Sequence, residues 1–362
     1  MIDAIVAGHL CLDIIPDLSV YAAGHFDAAF QPGRLVRIGP AAISTGGAVS
    51  NTGLTLHRLG IETRLLARVG ADRLGRTIQQ IVADHAPELA DGIVTSAETS
   101  TSYSIVISPP GSDRRFLHHP GANDDFCADD VRDEDVQDAR LFHFGYPSLM
   151  ARMFADDGSQ LTEMLRRVKS LGLTTSLDMA FPDPNSAAGR SNWRNILKNA
   201  LPHVDIFLPS LDEILFMLGR SADIPLSAKL LTEVSDELLA AGTKLVVLKL
   251  GERGLYLRAA PADVLQAMGR ACPSSLTPWA NYENWQSCFQ VDVVGTTGAG
   301  DATIAGFLAA LLRDMPPTDA LDVALGVGAC NVEAADALSG IRSWHDTLRR
   351  INAGWARRSN NA

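Results

Sequence analysis

The chain has 362 residues, 46% of them hydrophobic and 20% charged, with a formal net charge of −11. That charge works against a nucleic-acid or anionic-membrane partner, and no apolar run reaches the roughly 18 residues that a membrane-spanning helix needs. Five scattered cysteines (Cys11, Cys127, Cys272, Cys288, Cys330) without a CxxC pair, and an N-terminus carrying Asp3 and Asp13 but no basic leader, lead us to expect a reduced, cytoplasmic protein with neither a disulfide frame nor a zinc site.

Residues 2–8 (IDAIVAG) read as a buried strand. Segment 10–45 is richer in period-two patterns, as half-exposed antiparallel strands are. Residues 49–59, closed by Gly60, read as a helix, and 64–70 (RLLARVG) as a second buried strand. Segment 95–120, which includes TSYSIVIS, returns to period two. Together with 10–45 it is expected to form a small sheet projecting from the main body. Strand-length apolar runs follow at 141–145, 174–179, 205–210 and 243–250, with a helix over 160–171 closed by Gly172. Residues 259–290 hold Trp279, Tyr282, Trp285 and Cys288 without a clear period, and read as a loop insertion packed by its own aromatics. Apolar strands separated by helices imply a mostly parallel sheet covered on both faces. The expected fold is therefore a three-layer α/β/α domain over 1–345 with a β-sheet lid, then a helix end and disordered tail over 346–362.

The stretch VGTTGAGDATIAG (294–306) demands more than a turn. After Gly300, Ile304, Ala305, Leu308, Leu311 and Leu312 recur at helical spacing until Pro316 and Pro317 stop the pattern. Thr297, Gly298, Ala299 and Gly300 thus form the turn into a buried helix, with Asp301 in its first turn. Unpaired N–H groups and the helix dipole make such a turn a cradle for phosphate. A carboxylate there is ordinarily a cap. Beside an anion site it is also placed to take the proton of a hydroxyl that attacks a phosphoryl group. No GxxxxGK[ST] stretch occurs, which excludes a Walker-type loop, and no GxGxxG follows the first strand, which argues against a dinucleotide-binding dehydrogenase.

GTTGAGDATIAGF closely resembles the DTTGAGD signature of the ribokinase-like carbohydrate kinase family, the PfkB family. STGGAVSNTGLTLHRLG (44–60) is similar to its N-terminal glycine-pair motif, and GHLCLDI (8–14) to its first strand ending in a substrate-contacting Asp. RVGADRLG, HHPGAN and KLGERGLYL follow in the family's order, so the resemblance spans roughly residues 2 to 345. It implies an ATP-dependent kinase acting on a hydroxymethyl group of a sugar or sugar-like molecule. Asp301 would be the general base, and the amides of Gly298, Ala299 and Gly300 an anion hole. Sugar contacts are implied for Asp13, Gly46, Gly47 and Asn51, and nucleotide contacts for Lys249, Gly251, Gly254, Thr297 and Asn331.

Ser210-x-x-Glu213 resembles the family's NxxE element with serine for asparagine, which implies an indirect, water-mediated role for Glu213 toward Mg2+. Gly295 stands where the signature usually has an aspartate that helps hold a monovalent cation. That removes one ligand for potassium, although Ser343 occupies a position like a later one. In SLDMAFPDPN (176–185) only Asp178 matches the family pattern. Outside the resemblance, His9 is a candidate to face the sugar and His143 a core or cleft residue. Arg34, Arg37, Arg114 and Arg115 either anchor a phosphorylated acceptor or protect exposed strand edges; the second reading is preferred. Rival functions are a nucleoside kinase of the same architecture and a catalytically weak sensor. A homodimer through the lid is expected.

Overall fold

The computed structural model describes residues 2–111, 115–221 and 223–358; Arg114 and the last four residues of the expected tail lie outside them. In chain order the strands are β1 (Ala4–Gly8), β2 (Cys11–Pro16), β3 (Ala41–Gly46), β4 (Thr63–Gly70), β5 (Ile93–Ser96), β6 (Tyr103–Ile107), β7 (Arg115–His119), β8 (Leu141–Gly145), β9 (Thr174–Asp178), β10 (Ile206–Phe207), β11 (Leu245–Lys249), β12 (Leu255–Ala259) and β13 (Glu283–Gln286). Among the described residues nine of them form one sheet in the order β13-β12-β11-β10-β9-β8-β1-β4-β5, and the other four a smaller sheet, β3-β2-β6-β7.

The apolar pattern explains the large sheet. Every residue of β1 is buried, and its side chains alternate between two cores: Ala4 and Val6 on one face, Ile5 and Ala7 on the other. β11 repeats the division, with Leu245 and Val247 on the first face and Val246 and Leu248 on the second. Strands so buried need helices on both sides. All pairings from β5 across to β11 are parallel, and β12 turns back antiparallel.

Five expectations are corrected. The small sheet is mixed, because β2 pairs parallel with β6, and β5 belongs to the large sheet, so the lid's second segment begins after it. Of 205–210 only Ile206–Phe207 is strand. Segment 259–290 is not simply a loop: it contains β13, which extends the sheet edge along β12, and Trp279 is buried edge-on against Phe307 of the main core. The tail is ordered through Arg358. Phe289 pairs with Arg357 in an isolated bridge, the Phe289 and Trp355 rings stack at 4.6 Å, and Arg357 pairs with Asp322. No helix among the described residues is long and apolar enough to cross a membrane.

Candidate active site

The chain leaves β1 toward β4 and β5, then returns past β1 to β8 and onward, so its direction across the sheet reverses at β1. Ligands bind outside the carboxyl ends of strands at such a reversal. His9 follows β1, Tyr146 follows β8, Asp178 ends β9 and Lys249 ends β11. The helix Ala299–Leu312 starts beside the same residues, since Lys249 and Asp301 line one cavity.

Gly298 caps that helix in the left-handed region (φ 71°, ψ 6°), a conformation that costs glycine little. Asp301 does not cap its own helix. Its carboxylate is buried and turned outward from the turn, where Asn51 Nδ2 donates to Oδ2 at 2.9 Å and Thr52 Oγ1 to Oδ1 at 3.4 Å. The Tyr146 hydroxyl lies 2.8 Å from Oδ1 and 2.7 Å from Oδ2. Burial raises the Asp301 carboxyl above its ordinary range, against the pull of Asn51, Tyr146 and Lys249. Burial, then the Asp301 charge, keeps the Tyr146 phenol protonated, well above its usual range.

On one side of Asp301 opens a cavity of about 880 Å³, lined among others by His9, Asp13, Gly47, Asn51 and Tyr146. The lid contributes Asp13, Ser104, Phe116 and His118 to its wall. The glycine pair makes this pocket. A side chain at Gly46 would collide with the Asp13 carboxylate, and a Cβ at Gly47 (φ 89°) would sit 2.5 Å from His9 Nδ1. Gly46 does not itself line the cavity; it makes room for Asp13. Both His9 ring nitrogens and Asn51 Oδ1 are buried without a protein partner. Burial, with His118 beside it, lowers His9 to about 3, so the ring is neutral. Burial likewise raises Asp13. Among the described residues neither Lys nor Arg lines the cavity. Arg115 pairs with Asp27 at 2.5 Å instead.

Across the turn lies an apolar cavity of about 340 Å³, lined by Lys249, Gly251, Gly254, Ala299, Gly300 and the helix face of Leu325, Gly328 and Ala329, among others. A third cavity, about 360 Å³, joins the two along Tyr146, Asp178, Glu213, Lys249 and Asp301. Lys249 Nζ bonds Asp178 Oδ1 at 2.5 Å. Burial opposes its charge but is outweighed by Asp178 and Glu213, so the ammonium is held above its usual range, while burial raises the Asp178 carboxyl to about 8 against the pull of Lys249. A Cβ at Gly300 would lie 3.7 Å from Lys249 Nζ, ordinary contact, so the space over the turn is open. Gly254 (φ 104°) is required because β13 passes against it.

Thr297, Asn331 and Ser343, expected at the nucleotide or metal, line neither the 340 Å³ nor the 360 Å³ cavity. Thr297 lines the larger cavity, on the other side of Gly298. Asn331 is buried and donates to the Ala337 carbonyl at 2.7 Å, pinning that loop. Ser343 is exposed and caps the helix Trp344–Asn352 through Asp346. Gly295 admits no side chain, since a Cβ would meet the Ala334 and Ala335 carbonyls at 2.8 and 2.9 Å. These residues do not fit a monovalent-cation site. Ser210 and Glu213 form a reciprocal capping box, with the Ser210 N–H donating to Glu213 Oε2 at 2.6 Å, which holds the glutamate at the joining cavity. Sequence reasoning missed Tyr146 and Thr52, and the partnership of Lys249 with Asp178. No periodicity marks Tyr146, whose left-handed backbone (φ 67°, ψ 43°) appears only in three dimensions.

A doubly covered parallel sheet with a carboxylate and a glycine turn between two cavities is the frame in which the comparisons place an α/β carbohydrate kinase. The chain belongs to the pfkB family of carbohydrate kinases, whose family model matches residues 10–343. It is similar to an uncharacterized sugar kinase of Archaeoglobus fulgidus, 27% identical over 71% of this chain and 86% of that one. A probable fructokinase-4 of Arabidopsis thaliana is 23% identical over 85% of this chain and 81% of that one. In fold, it resembles the Arabidopsis thaliana ribokinase complexed with ribose and ATP, with a TM-score of 0.74 at 18% identity over 97% of this chain and 99% of that one.

Proposed function

We propose that this carbohydrate kinase transfers the γ-phosphoryl group of ATP to a hydroxymethyl group of an uncharged sugar or sugar-like acceptor, with Asp301 as general base. The observation that carries the reading is the place of Asp301, between a cavity with unpartnered polar atoms and an open glycine turn beside Lys249. His9 and Asn51 Oδ1 meet the acceptor's hydroxyls, and Asp13 accepts from another. Asp301 takes the attacking hydroxyl's proton as the acceptor oxygen bonds the γ-phosphorus and the bond to the ADP oxygen breaks. The amides at Gly298, Ala299 and Gly300, with the Lys249 ammonium, stabilise the charge on the transferring group. The lid wall excludes competing water.

Among the described residues no cluster of three His, Cys, Asp or Glu side chains is arranged to ligate a metal directly. Glu213, fixed by Ser210 at the joining cavity, fits Mg2+ held through its water shell and by the ATP phosphates, where the ion would neutralise phosphate charge.

A second reading, a nucleoside as acceptor, is supported by Phe116, Phe154 and Phe181 in the wall of the 880 Å³ cavity, since such rings stack on a flat base. Magnesium-dependent ADP release measured across neutral sugars, polyols, nucleosides, sugar acids and sugar phosphates tests both. Turnover with a neutral sugar supports the first reading and turnover with a nucleoside the second; turnover confined to anionic sugars would overturn both.

A further inference from the structure

We propose that Tyr146 is a positioning residue whose hydroxyl holds the place at Asp301 that the acceptor hydroxyl must take, so that the base is masked until an acceptor displaces it. This rests on the kinase reading above. The hydroxyl lies within 2.8 Å of both carboxylate oxygens, the approach that an attacking hydroxyl would need. Asn51 and Thr52 supply the other donors. Tyr146 lines both the acceptor cavity and the cavity that joins it to the glycine turn, so it borders both spaces.

The backbone is arranged to keep it there. Tyr146 has left-handed torsions (φ 67°, ψ 43°), rare for a bulky residue and typical of functional strain. The turn that follows is pinned: Leu149 N–H donates to the Tyr146 carbonyl at 3.0 Å, and Ser148 Oγ donates to the Ala180 carbonyl at 2.5 Å. The strand end thus fixes the backbone from which the Tyr146 side chain reaches Asp301.

The consequence concerns water. With ATP bound and no acceptor, a water reaching Asp301 could lose its proton there while its oxygen bonds the γ-phosphorus and the bond to ADP breaks, giving ADP and phosphate. A phenol already on the carboxylate withholds the base from that water. An acceptor, with several hydroxyls anchored on His9, Asn51 and Asp13, has the binding energy to displace the phenol where a single water has not.

The test is ADP release from magnesium-ATP without any acceptor. Tyr146→Phe keeps the ring and removes the hydroxyl. Tyr146→Gly removes both and suits the left-handed backbone, so one of the pair remains informative if the other folds poorly. Both variants are expected to raise acceptor-free hydrolysis about tenfold or more, a modest share of a general base's usual contribution. Adding Asp301→Asn should abolish the increase. A merely structural tyrosine would leave this rate unchanged or lower, and that result in both variants would overturn the proposal. The kinase reading is judged separately, by whether Asp301→Asn alone removes acceptor-dependent turnover.

Discussion

Asn51 and Asp301 stand 250 positions apart in sequence and meet at 2.9 Å, the amide nitrogen of one on the carboxylate of the other. The contact joins the first turns of two helices, Ala48–Arg58 and Ala299–Leu312, each entered through a left-handed or open glycine. It ties the glycine pair that shapes the 880 Å³ cavity to the glycine turn beside Lys249.

Removing the amide has a signed consequence. Asn51 draws the Asp301 pKa down against burial, so Asn51→Ala lets it rise further. A base must be ionised to act, and the acid limb of the kcat profile is therefore expected to move to higher pH. A pH–rate series on the two proteins checks this, and an unmoved limb would separate Asn51 from the base.

Asp301→Asn is expected to lower turnover by about 10²–10⁴-fold and yet to raise Tm at neutral pH. Burial raises the folded-state pKa of Asp301 above its ordinary value. Stability from such a group is fully present below the unfolded pKa and is lost as pH rises through the folded one. At neutral pH the ionised carboxylate works against folding, and a neutral amide relieves that. Calorimetry of the two proteins at neutral pH and at low pH shows whether the difference closes on acidification.

Gly300 and Gly47 should behave oppositely on mutation to alanine. At Gly300 the nearest neighbours of a new methyl are Lys249 atoms at ordinary distance, so Gly300→Ala is expected to fold normally and to lose activity by filling the space over the turn. At Gly47 a methyl would meet His9 at 2.5 Å on a backbone with φ 89°, and strain of about 1–3 kcal/mol should appear as a lower Tm.

Lys249→Met leaves the Asp178 carboxylate buried without its ammonium, a loss that typically costs about 3–5 kcal/mol. Adding Asp178→Asn should restore most of the stability but not the turnover, because the ammonium beside the turn remains absent. Denaturant melts with matched kinetics separate the two effects.

Much of the large sheet was legible because its strands are apolar throughout, which leaves one way to bury them. Asp301 was legible as a candidate because a glycine-rich turn into a buried helix can cradle an anion beside a carboxylate. β13 was not, since the four residues ENWQ carry no apolar period and become a strand only by pairing with β12. The tail read as disordered because ARRSNNA is polar, yet Arg357 lies 4.1 Å over the Phe289 ring and pairs with Asp322, contacts that no local pattern carries. Thr297 lines the 880 Å³ cavity because the left-handed Gly298 turns the chain between neighbours. Ser210 substitutes for asparagine without loss of order, since its hydroxyl still closes a capping box on Glu213.

The central claim is that Asp301 activates a hydroxymethyl group for attack on ATP. It is tested most directly by following label from γ-phosphate-labelled ATP onto an acceptor from the neutral panel, in the wild type and in Asp301→Asn. Label is expected on the acceptor's primary hydroxyl in the wild type and almost none in the variant. Comparable labelling by both proteins would contradict it.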